Sequence, residues 1–451
     1  MTKEITEREL VLGILMEVTQ NNGYSHIVLR NTLEKYQYLD KKERAFITRV
    51  TEGTLEHMIE IDYILNQFSN VKVNKMKPVI RNILRSAVYQ LKYMDSVPDS
   101  AVCNEAVKLA VKKGFKNLKG FVNGVLRNTA RNLDKVTYPL DTFQRLCVQY
   151  SMPEWILKLW LNYYTQDVVE QMLLEFQKEQ PLTIRCNTEK VQPQQLKIEL
   201  EKEGVFIEPH PYLSYAFQIQ GYNYLGDLKA FQEGKFYVQD ISSMLVGEIA
   251  NPSKNSRVID VCAAPGGKAL HIAEKMAGTG YVEARDLSTY KVALIQENIV
   301  RSGQKNICAV QKDARILEKD SIESADIVIA DLPCSGLGVL GKKADLKYKA
   351  SLEGTKDLVQ LQREILQTVQ SYVKPNGVLI YSTCTINPEE NIENVKWFLK
   401  QFPEFSLDSI EEHVCEELKK SIQDKGCLQL LPGIHKSDGF FIARMVKNNK
   451  N

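Results

Sequence analysis

The amino-acid sequence predicts a multidomain protein, with an all-α bundle first and a doubly wound α/β domain last. Its 451 residues are too many for one ordinary domain. Apolar residues follow the helical period up to about residue 133, whereas from about residue 240 strand-length apolar runs alternate with helical stretches. This alternation is typical of a parallel sheet covered by helices, whose ligands bind at the carboxyl ends of the strands.

Composition and charge are those of a globular protein with an uneven charge distribution. Hydrophobic residues make up 44% of the chain and charged residues 25%, and no run of about 18 uncharged apolar residues predicts a membrane span. The N-terminal MTKEITEREL lacks the apolar core of a signal peptide, so we expect a cytoplasmic location. Residues 1–140 hold 22 Lys and Arg against 15 Asp and Glu, while the remainder holds 36 against 41. A basic region on an acidic body favours nucleic-acid binding.

The number and spacing of the cysteines argue against disulfides and a zinc site. There are nine, with no C-x-x-C pair. Neither a disulfide framework nor a thiolate zinc site is expected from this spacing, and we expect no metal. Most of these side chains should be small buried hydrophobes, so a reactive cysteine has to be identified from its own surroundings.

The regions before the last domain are predicted from the helical period of apolar residues and from the residues that begin and end helices. Residues 1–133 should form a compact helical bundle, in which the stretch Val79–Leu91 places its apolar residues on one face and Gly114 ends a later helix. Residues 134–150 are interpreted as a linker. Residues 151–238 are expected to form a small α/β connecting subdomain. Its helices are expected at 153–180, with Trp155 and Trp160 in a core, and at 192–204, and its strands at 181–187, 217–220 and 236–238.

Residues 239–447 are predicted to be the catalytic domain. Its strands are expected at 258–261, 281–284, 307–311, 327–330 and 378–381, and its helices around 267–276, 289–302, 356–373 and 388–401. The first strand runs into a tight loop, Cys262-Ala263-Ala264-Pro265-Gly266-Gly267-Lys268, whose glycines let the backbone lie against a ligand. The loop lacks G-x-G-x-x-G, and Cys262 and Ala269 stand where a Walker A loop requires Gly and Ser or Thr. It therefore suits a nucleoside ligand without phosphates.

Acidic residues at successive strand ends indicate which nucleoside. Asp286 follows the second strand, where a carboxylate can accept hydrogen bonds from ribose hydroxyls. Asp313 follows the third strand, in reach of an adenine amino group, and Asp331 ends the fourth, in reach of an ammonium group. Each alone would suit a helix cap, but three beside a glycine loop predict an S-adenosylmethionine site.

Two cysteines follow neighbouring strands, Cys334 in DLPCSG and Cys384 in YSTCT. Neighbouring strands lie about 4.8 Å apart, so we expect both thiols in one cleft beside the donor. Carbon 5 of cytosine is a poor nucleophile until a thiolate adds to carbon 6, which creates a carbanion that attacks a sulfonium methyl group. The pair therefore predicts methylation of cytosine carbon 5, on a base that is single-stranded or flipped out.

Motifs over nearly the whole chain resemble one known family. KGFVNGVLRN, at residues 119–128, resembles the antitermination-factor NusB type of RNA-binding bundle. With CAAPGGK, DLPCSG, YSTCT, NPEEN and DGFF, it is similar to the Sun-type RNA cytosine-5 methyltransferases, whose catalytic domain is Rossmann-like. The resemblance implies that Cys384 is the nucleophile and that Cys334 assists breakdown of the adduct. It also implies that the 262–268 loop and the three aspartates contact S-adenosylmethionine.

The same resemblance implies 16S ribosomal RNA as the partner, unassembled or in an early small-subunit precursor, with cytosine 967 as the target. DNA cytosine methyltransferases attack with the strand-4 cysteine, so the second cysteine favours RNA. The chain departs from the family pattern at Ala269 and at residues 341–348, GKKADLKY, where an Arg-rich stretch ending in Trp is usual. We still expect Lys342, Lys343 and Lys347 near phosphate.

Three alternatives remain open from the sequence. The same chemistry on tRNA or 23S rRNA would use the same cysteines, although the NusB-like bundle favours the small-subunit substrate. A non-catalytic RNA-binding assembly factor predicts an eroded donor loop or a lost cysteine, and both are intact. DNA methylation predicts a single strand-4 cysteine and a separate target-recognition domain.

Overall fold

A computed structural model describes residues 5–449, so the first four residues of the predicted bundle and of the MTKEITEREL stretch lie outside the described residues. The helices are α1 (Glu7–Gln20), α2 (Ser25–Lys35), α3 (Lys41–Glu56), α4 (Met58–Phe68), α5 (Pro78–Tyr93), α6 (Asp99–Lys112), α7 (Lys119–Asn132), α8 (Thr142–Gln149), α9 (Glu154–Leu161), α10 (Gln166–Phe176), α11 (Pro193–Lys202), α12 (Lys229–Gln232), α13 (Ile241–Ala250), α14 (Gly267–Lys275), α15 (Thr289–Ser302), α16 (Leu346–Lys349), α17 (Leu352–Val369), α18 (Ile392–Gln401) and α19 (Glu416–Lys419). The strands are β1 (Leu182–Cys186), β2 (Phe206–Pro209), β3 (Ala216–Gln220), β4 (Phe236–Val238), β5 (Arg257–Asp260), β6 (Tyr281–Asp286), β7 (Ile307–Gln311), β8 (Ala325–Asp331), β9 (Val373–Thr383), β10 (Phe405–Leu407), β11 (Ile422–Gln423), β12 (Cys427–Leu430) and β13 (Phe440–Lys447).

The chain divides into two compact units. The helical unit holds residues up to 177 together with 340–350, and the α/β unit holds 178–339 together with the residues from 351 onward. In the helical unit, the apolar stripe predicted on α5 is buried, with Leu84 and Val88 at 0% exposure. The residues predicted as a linker include α8, and the Thr137 carbonyl accepts a hydrogen bond from the Tyr63 hydroxyl of α4 at 2.9 Å.

Segment 340–350 leaves the α/β part of the sequence and packs in the helical unit. The buried Asp345 carboxylate accepts hydrogen bonds from the Ser25 backbone N–H at 3.0 Å and from the Ser25 hydroxyl at 2.6 Å. Since the α2 N-cap residue Tyr24 makes no side-chain cap of its own, Asp345 supplies the cap from a distant part of the chain. Lys349 adds an ion pair to Asp345 at 2.9 Å.

The expectation that Lys347 lies near phosphate is wrong. Its side chain is buried, and its Nζ donates to the Glu56 backbone carbonyl at 2.7 Å. Burial lowers the pKa of Lys347 to about 7. An ammonium group enclosed in this way cannot reach a polyanion at the surface.

The α/β unit contains two sheets. The small sheet has the antiparallel order β2-β3-β1-β4, and its edge strand β2 was not predicted. In the large sheet, β9-β8-β5-β6-β7 are parallel and match the five predicted strands. The whole sheet is mixed, because β13, which was not predicted, pairs antiparallel with β9 and extends the sheet through β12 and β11.

The register of β8 on β9 determines which loops meet. Asp331 is paired with Ser382, so both strands end at the same level of the sheet. The DLPCSG and YSTCT motifs therefore begin side by side. The strands are anchored by side chains such as Ile329 and Ile380, both at 0% exposure.

The first prediction concerns the cap on α2. Asp345→Asn keeps the shape of the side chain but removes its charge and replaces one of the two oxygens that accept from Ser25 with a donating amide group. We expect the free energy of unfolding of the helical unit to fall by about 2 kcal/mol, measured by urea denaturation of the full chain. Asp357→Asn makes the same charge change at an exposed position on α17, and should stay within about 0.5 kcal/mol of wild type. Equal loss in both variants would contradict the capping role.

Candidate active site

The predicted donor loop is a tight turn between β5 and α14. The Ala263 N–H donates to the Arg285 carbonyl at 2.8 Å, which ties the loop to β6. Gly266 has φ of +105°, a left-handed conformation that favours glycine, and a Cβ there would lie 3.3 Å from Ile295. Burial raises the pKa of the Cys262 thiol, so this cysteine stays protonated.

Asp286 lies at the end of β6, where the sequence predicts it, and holds the loop. Its Oδ2 accepts from the Ala264 N–H at 3.1 Å, and its Oδ1 accepts from the Leu287 N–H at 2.8 Å. Lys291 forms an ion pair with it at 3.3 Å. The carboxylate is buried and its orientation is determined by these contacts.

Asp260, at the end of β5, is a carboxylate that the sequence analysis missed. It is 1% exposed, and within residues 5–449 its Oδ2 has no hydrogen-bond partner. Burial, followed by the charge of Asp331, raises its pKa to about 7. Its place at the first strand end, two residues before Cys262, was the available signal.

Asp313 follows β7 and is held by Arg315. The guanidinium donates to its two oxygens at 3.1 and 2.7 Å, and the hydrogen bonds from Arg315 lower the pKa of Asp313. This carboxylate therefore remains charged in the edge position that the sequence predicts.

Asp331 ends β8 and pairs with the last residue of the donor loop. The Lys268 Nζ lies 2.8 Å from Asp331 Oδ2, and the Ser382 hydroxyl donates to Oδ1 at 2.7 Å. Burial alone would lower the pKa of Lys268, but the charge of Asp331 outweighs it and the pKa is raised. The negative charge of Cys384 acts on Lys268 in the same direction, which links the donor loop electrostatically to the cysteine site.

These residues fit S-adenosylmethionine. Three carboxylates, Asp260, Asp286 and Asp331, surround a loop that has a single lysine, an arrangement that repels phosphates and attracts a cationic nucleoside. The unpaired oxygen of Asp260 and the close glycine turn are consistent with a ligand that approaches the backbone.

The two predicted cysteines meet. The Sγ atoms of Cys334 and Cys384 are 3.2 Å apart, a hydrogen-bond distance for sulfur, and both half-buried side chains lie outside any disulfide. The hydrogen bond to Cys384, followed by burial, raises the pKa of Cys334 well above its ordinary value. The raised pKa keeps the Cys334 thiol protonated and able to donate to the Cys384 sulfur.

Gly338 and Gly439 make a contact next to the Cys384 backbone that the sequence analysis also missed. The Gly338 N–H donates to the Cys384 carbonyl at 3.1 Å, and the Gly439 N–H donates to the Gly338 carbonyl at 2.8 Å. The glycine of the DGFF motif thus allows β13 to approach the cysteine loops, and Phe440 of the same motif lies 5.5 Å from the Lys268 ammonium.

In the part of the chain that the structure describes, no three His, Cys, Asp or Glu side chains are arranged to hold a metal ion. Across the same residues, no helix combines the length and apolar character that a membrane span requires.

Three family models match successive parts of the chain. The model "NusB family" matches residues 5–131, "Methyltr_RsmF/B-like, ferredoxin-like domain" matches 152–223, and "16S rRNA methyltransferase RsmB/F" matches 248–446. A Bacillus subtilis protein named "Probable ribosomal RNA small subunit methyltransferase B" is 36% identical over 99% of this chain and 99% of its own. The chain belongs to the ribosomal RNA small subunit methyltransferase B family. A Synechocystis relative of the same name is 31% identical over 98% of this chain and 100% of its own.

Solved structures share the architecture of this family member. PH0851 has a TM-score of 0.81 at 26% identity, over 97% of this chain and 98% of that chain. NSun6 from Pyrococcus horikoshii with SFG has a TM-score of 0.57 at 24% identity, over 65% of this chain and 97% of that chain, and shows a common fold. The predicted fold class and the prediction of an S-adenosylmethionine-dependent methyltransferase of this family are confirmed.

The second prediction tests the close contact of Gly338 with Gly439 and the Cys384 carbonyl. A Cβ at Gly338 would collide with the Gly439 carbonyl and lie 2.9 Å from the Cys384 carbonyl oxygen. Gly338→Ala should therefore lower the free energy of unfolding by about 2 kcal/mol and greatly reduce methyl transfer, measured with labelled donor. Gly120→Ala on α7, with no atom within 4 Å of the new Cβ, should retain full activity. An active Gly338→Ala variant would show that the close approach is dispensable.

Proposed function

We propose that the protein methylates carbon 5 of a cytosine in 16S ribosomal RNA, through a covalent bond between Cys384 and cytosine carbon 6. The observation that carries the proposal is the 3.2 Å hydrogen bond between the Cys334 and Cys384 sulfur atoms. A lone thiol would explain attack, but a second, protonated thiol against the first also provides for release.

The first half of the reaction uses Cys384 as nucleophile. A hydrogen bond donated by Cys334 and the positive charge of Lys268 both favour the thiolate form of Cys384. The thiolate adds to cytosine carbon 6, and the electrons of the C5–C6 double bond move to carbon 5. S-adenosylmethionine, when bound, supplies the electrophilic methyl group that carbon 5 attacks.

The second half uses Cys334 as a base. Once Cys384 is bonded to carbon, its sulfur is a neutral thioether, and the main cause that raises the pKa of Cys334 is gone. Cys334 then loses its proton to solvent and removes the proton from carbon 5. The C–H electrons re-form the double bond, and Cys384 leaves as a thiolate. One proton is released for each methyl group transferred.

The donor is held by the 262–268 loop and the acidic residues around it. We assign Asp286 to the ribose hydroxyls, Asp313 to the adenine amino group and Asp331 to the ammonium group. Asp260 is the addition that the structure suggests, as a buried carboxyl group next to Asp331.

The substrate assignment rests on the relatives and on the helical region. Two relatives that align over nearly the full chain are named as small-subunit ribosomal RNA enzymes, and residues 5–131 match the NusB family. We propose that residues 1–133 contribute RNA contacts, that 151–238 connect them to the catalytic residues 239–447, and that the substrate is unassembled or early precursor RNA. None of the nine cysteines lies in a disulfide, which is consistent with a cytoplasmic location.

The third prediction separates the roles of the cysteines. Cys384→Ala should abolish both methyl transfer and covalent adducts, because no thiolate attacks carbon 6, while RNA affinity stays within about twofold of wild type. Cys334→Ala should form adducts that persist, visible as protein–RNA complexes in denaturing gels. Cys427→Ala, at a buried position away from the pair, is the control. Adducts from Cys384→Ala would reverse the assignment.

The fourth prediction concerns the target. Deproteinised 16S rRNA incubated with labelled donor should be methylated, and mapping should locate one 5-methylcytosine, at position 967 by family resemblance. Equal amounts of tRNA and 23S rRNA serve as competing substrates. Methylation confined to either competitor would reject the 16S rRNA assignment while retaining the chemistry.

A further inference from the structure

Glu390, from the NPEEN motif, is a buried carboxylate close to the cysteine pair. Its side chain has 0% exposure and lies just before α18. It accepts hydrogen bonds from the Ser335 N–H at 2.8 Å, the Ser335 hydroxyl, the Asn387 amide at 3.0 Å and the Gln362 amide at 3.1 Å. A buried carboxylate is costly unless its oxygens are satisfied, and these four donors satisfy them.

The contacts of Glu390 fall on both sides of Cys334. Ser335, bonded directly to Glu390, follows the cysteine in the chain. Pro333 precedes it, and its carbonyl accepts from the Gln362 amide at 2.9 Å, the same amide that donates to Glu390. The backbone that carries Cys334 is thus held at both ends by one buried network.

The same network reaches the Cys384 loop. The Ser335 hydroxyl is 2.8 Å from the Thr385 hydroxyl, next to Cys384 in the chain. The Asn391 amide, one residue beyond Glu390, donates to the Thr385 carbonyl at 3.0 Å. Hydrogen bonds therefore connect both cysteine loops to the residues just before α18. These contacts hold the two sulfurs at their separation of 3.2 Å.

We propose that Glu390 is a positioning residue that holds Cys334 against Cys384 and thereby sets the rate at which the covalent adduct is released. This inference rests on the proposed function, because it requires an adduct to release. It concerns the second half-reaction, because Glu390 bonds directly to the residue after Cys334, whereas the Cys384 carbonyl has a further anchor in the Gly338 N–H.

The charge of Glu390 also acts on the pKa of Cys334. Among the groups that raise the pKa of Cys334 are the Cys384 sulfur first and the Glu390 carboxylate after it, and the Tyr381 hydroxyl also faces this network. When Cys384 becomes a thioether its contribution ends, whereas that of Glu390 persists. This persisting charge opposes ionisation of Cys334, so the contribution of Glu390 to release is the position in which its hydrogen bonds hold the Cys334 loop.

The fifth prediction uses Glu390→Gln, which keeps the size of the side chain but removes its charge. The new NH2 group takes the place of an oxygen that accepts hydrogen bonds from residues such as Gln362 and Asn387. In single-turnover reactions with 16S rRNA, adduct formation should stay within about threefold of wild type, while release should slow by about tenfold. Adduct is measured on denaturing gels and product by label in free RNA. Glu389→Gln, an adjacent exposed position, makes the same charge change and should match wild type in both steps.

A second variant protects the test against misfolding. Gln362→Met removes the amide that joins Pro333 to Glu390 without changing the carboxylate, and it should also slow release more than formation. Release at the wild-type rate in either folded variant, or loss of adduct formation with release unchanged, would overturn the role of Glu390. Absence of adducts even from Cys334→Ala would instead reject the covalent mechanism of the proposed function.

Discussion

The alignment of β8 with β9 is the constraint on which the site depends. Because the two parallel strands end at the same level, their following loops begin side by side, and Cys334 and Cys384 meet at 3.2 Å. A shift of one residue would turn each side chain to the opposite face of the sheet. The tightly packed glycines at 338 and 439 then allow β13 to close against these loops without displacing them.

Buried charge is the second theme of the molecule, and in each case the charge is either paired or neutralised. Asp331 is paired with Lys268, and Glu390 is surrounded by four donors. Asp260 accepts one hydrogen bond, from the Cys262 N–H at 3.4 Å, while its Oδ2 has no hydrogen-bond partner among residues 5–449, and burial raises its pKa to about 7. Both parts of the site follow the rule that a buried charge needs partners. In the donor part the pairing keeps the Asp331 charge available, and near the cysteines the hydrogen bonds to Glu390 hold the Cys334 loop.

Segment 340–350 shows that the sequence order of regions is not their order in space. It begins six residues after Cys334, yet it packs in the helical unit, where Asp345 caps α2 and Lys347 is buried. A helix that lacks a cap from its own neighbours is stabilised by a residue more than 300 positions later. The helical region is thus completed by residues from the catalytic part of the chain.

The sequence by itself determined the main architecture and predicted the candidate reacting groups. The five parallel strands, the glycine loop, Asp286, Asp313, Asp331 and both cysteines follow from local patterns, because strand period and loop chemistry are properties of short segments. Only the tertiary structure decided that the two sulfurs meet with the pKa of Cys334 raised, that Lys347 is buried, that β13 makes the sheet mixed, and that Asp260 and Glu390 are buried near the donor loop and the cysteine pair. These outcomes depend on desolvation and on hydrogen bonds between residues far apart in the chain, and no short-range pattern records either.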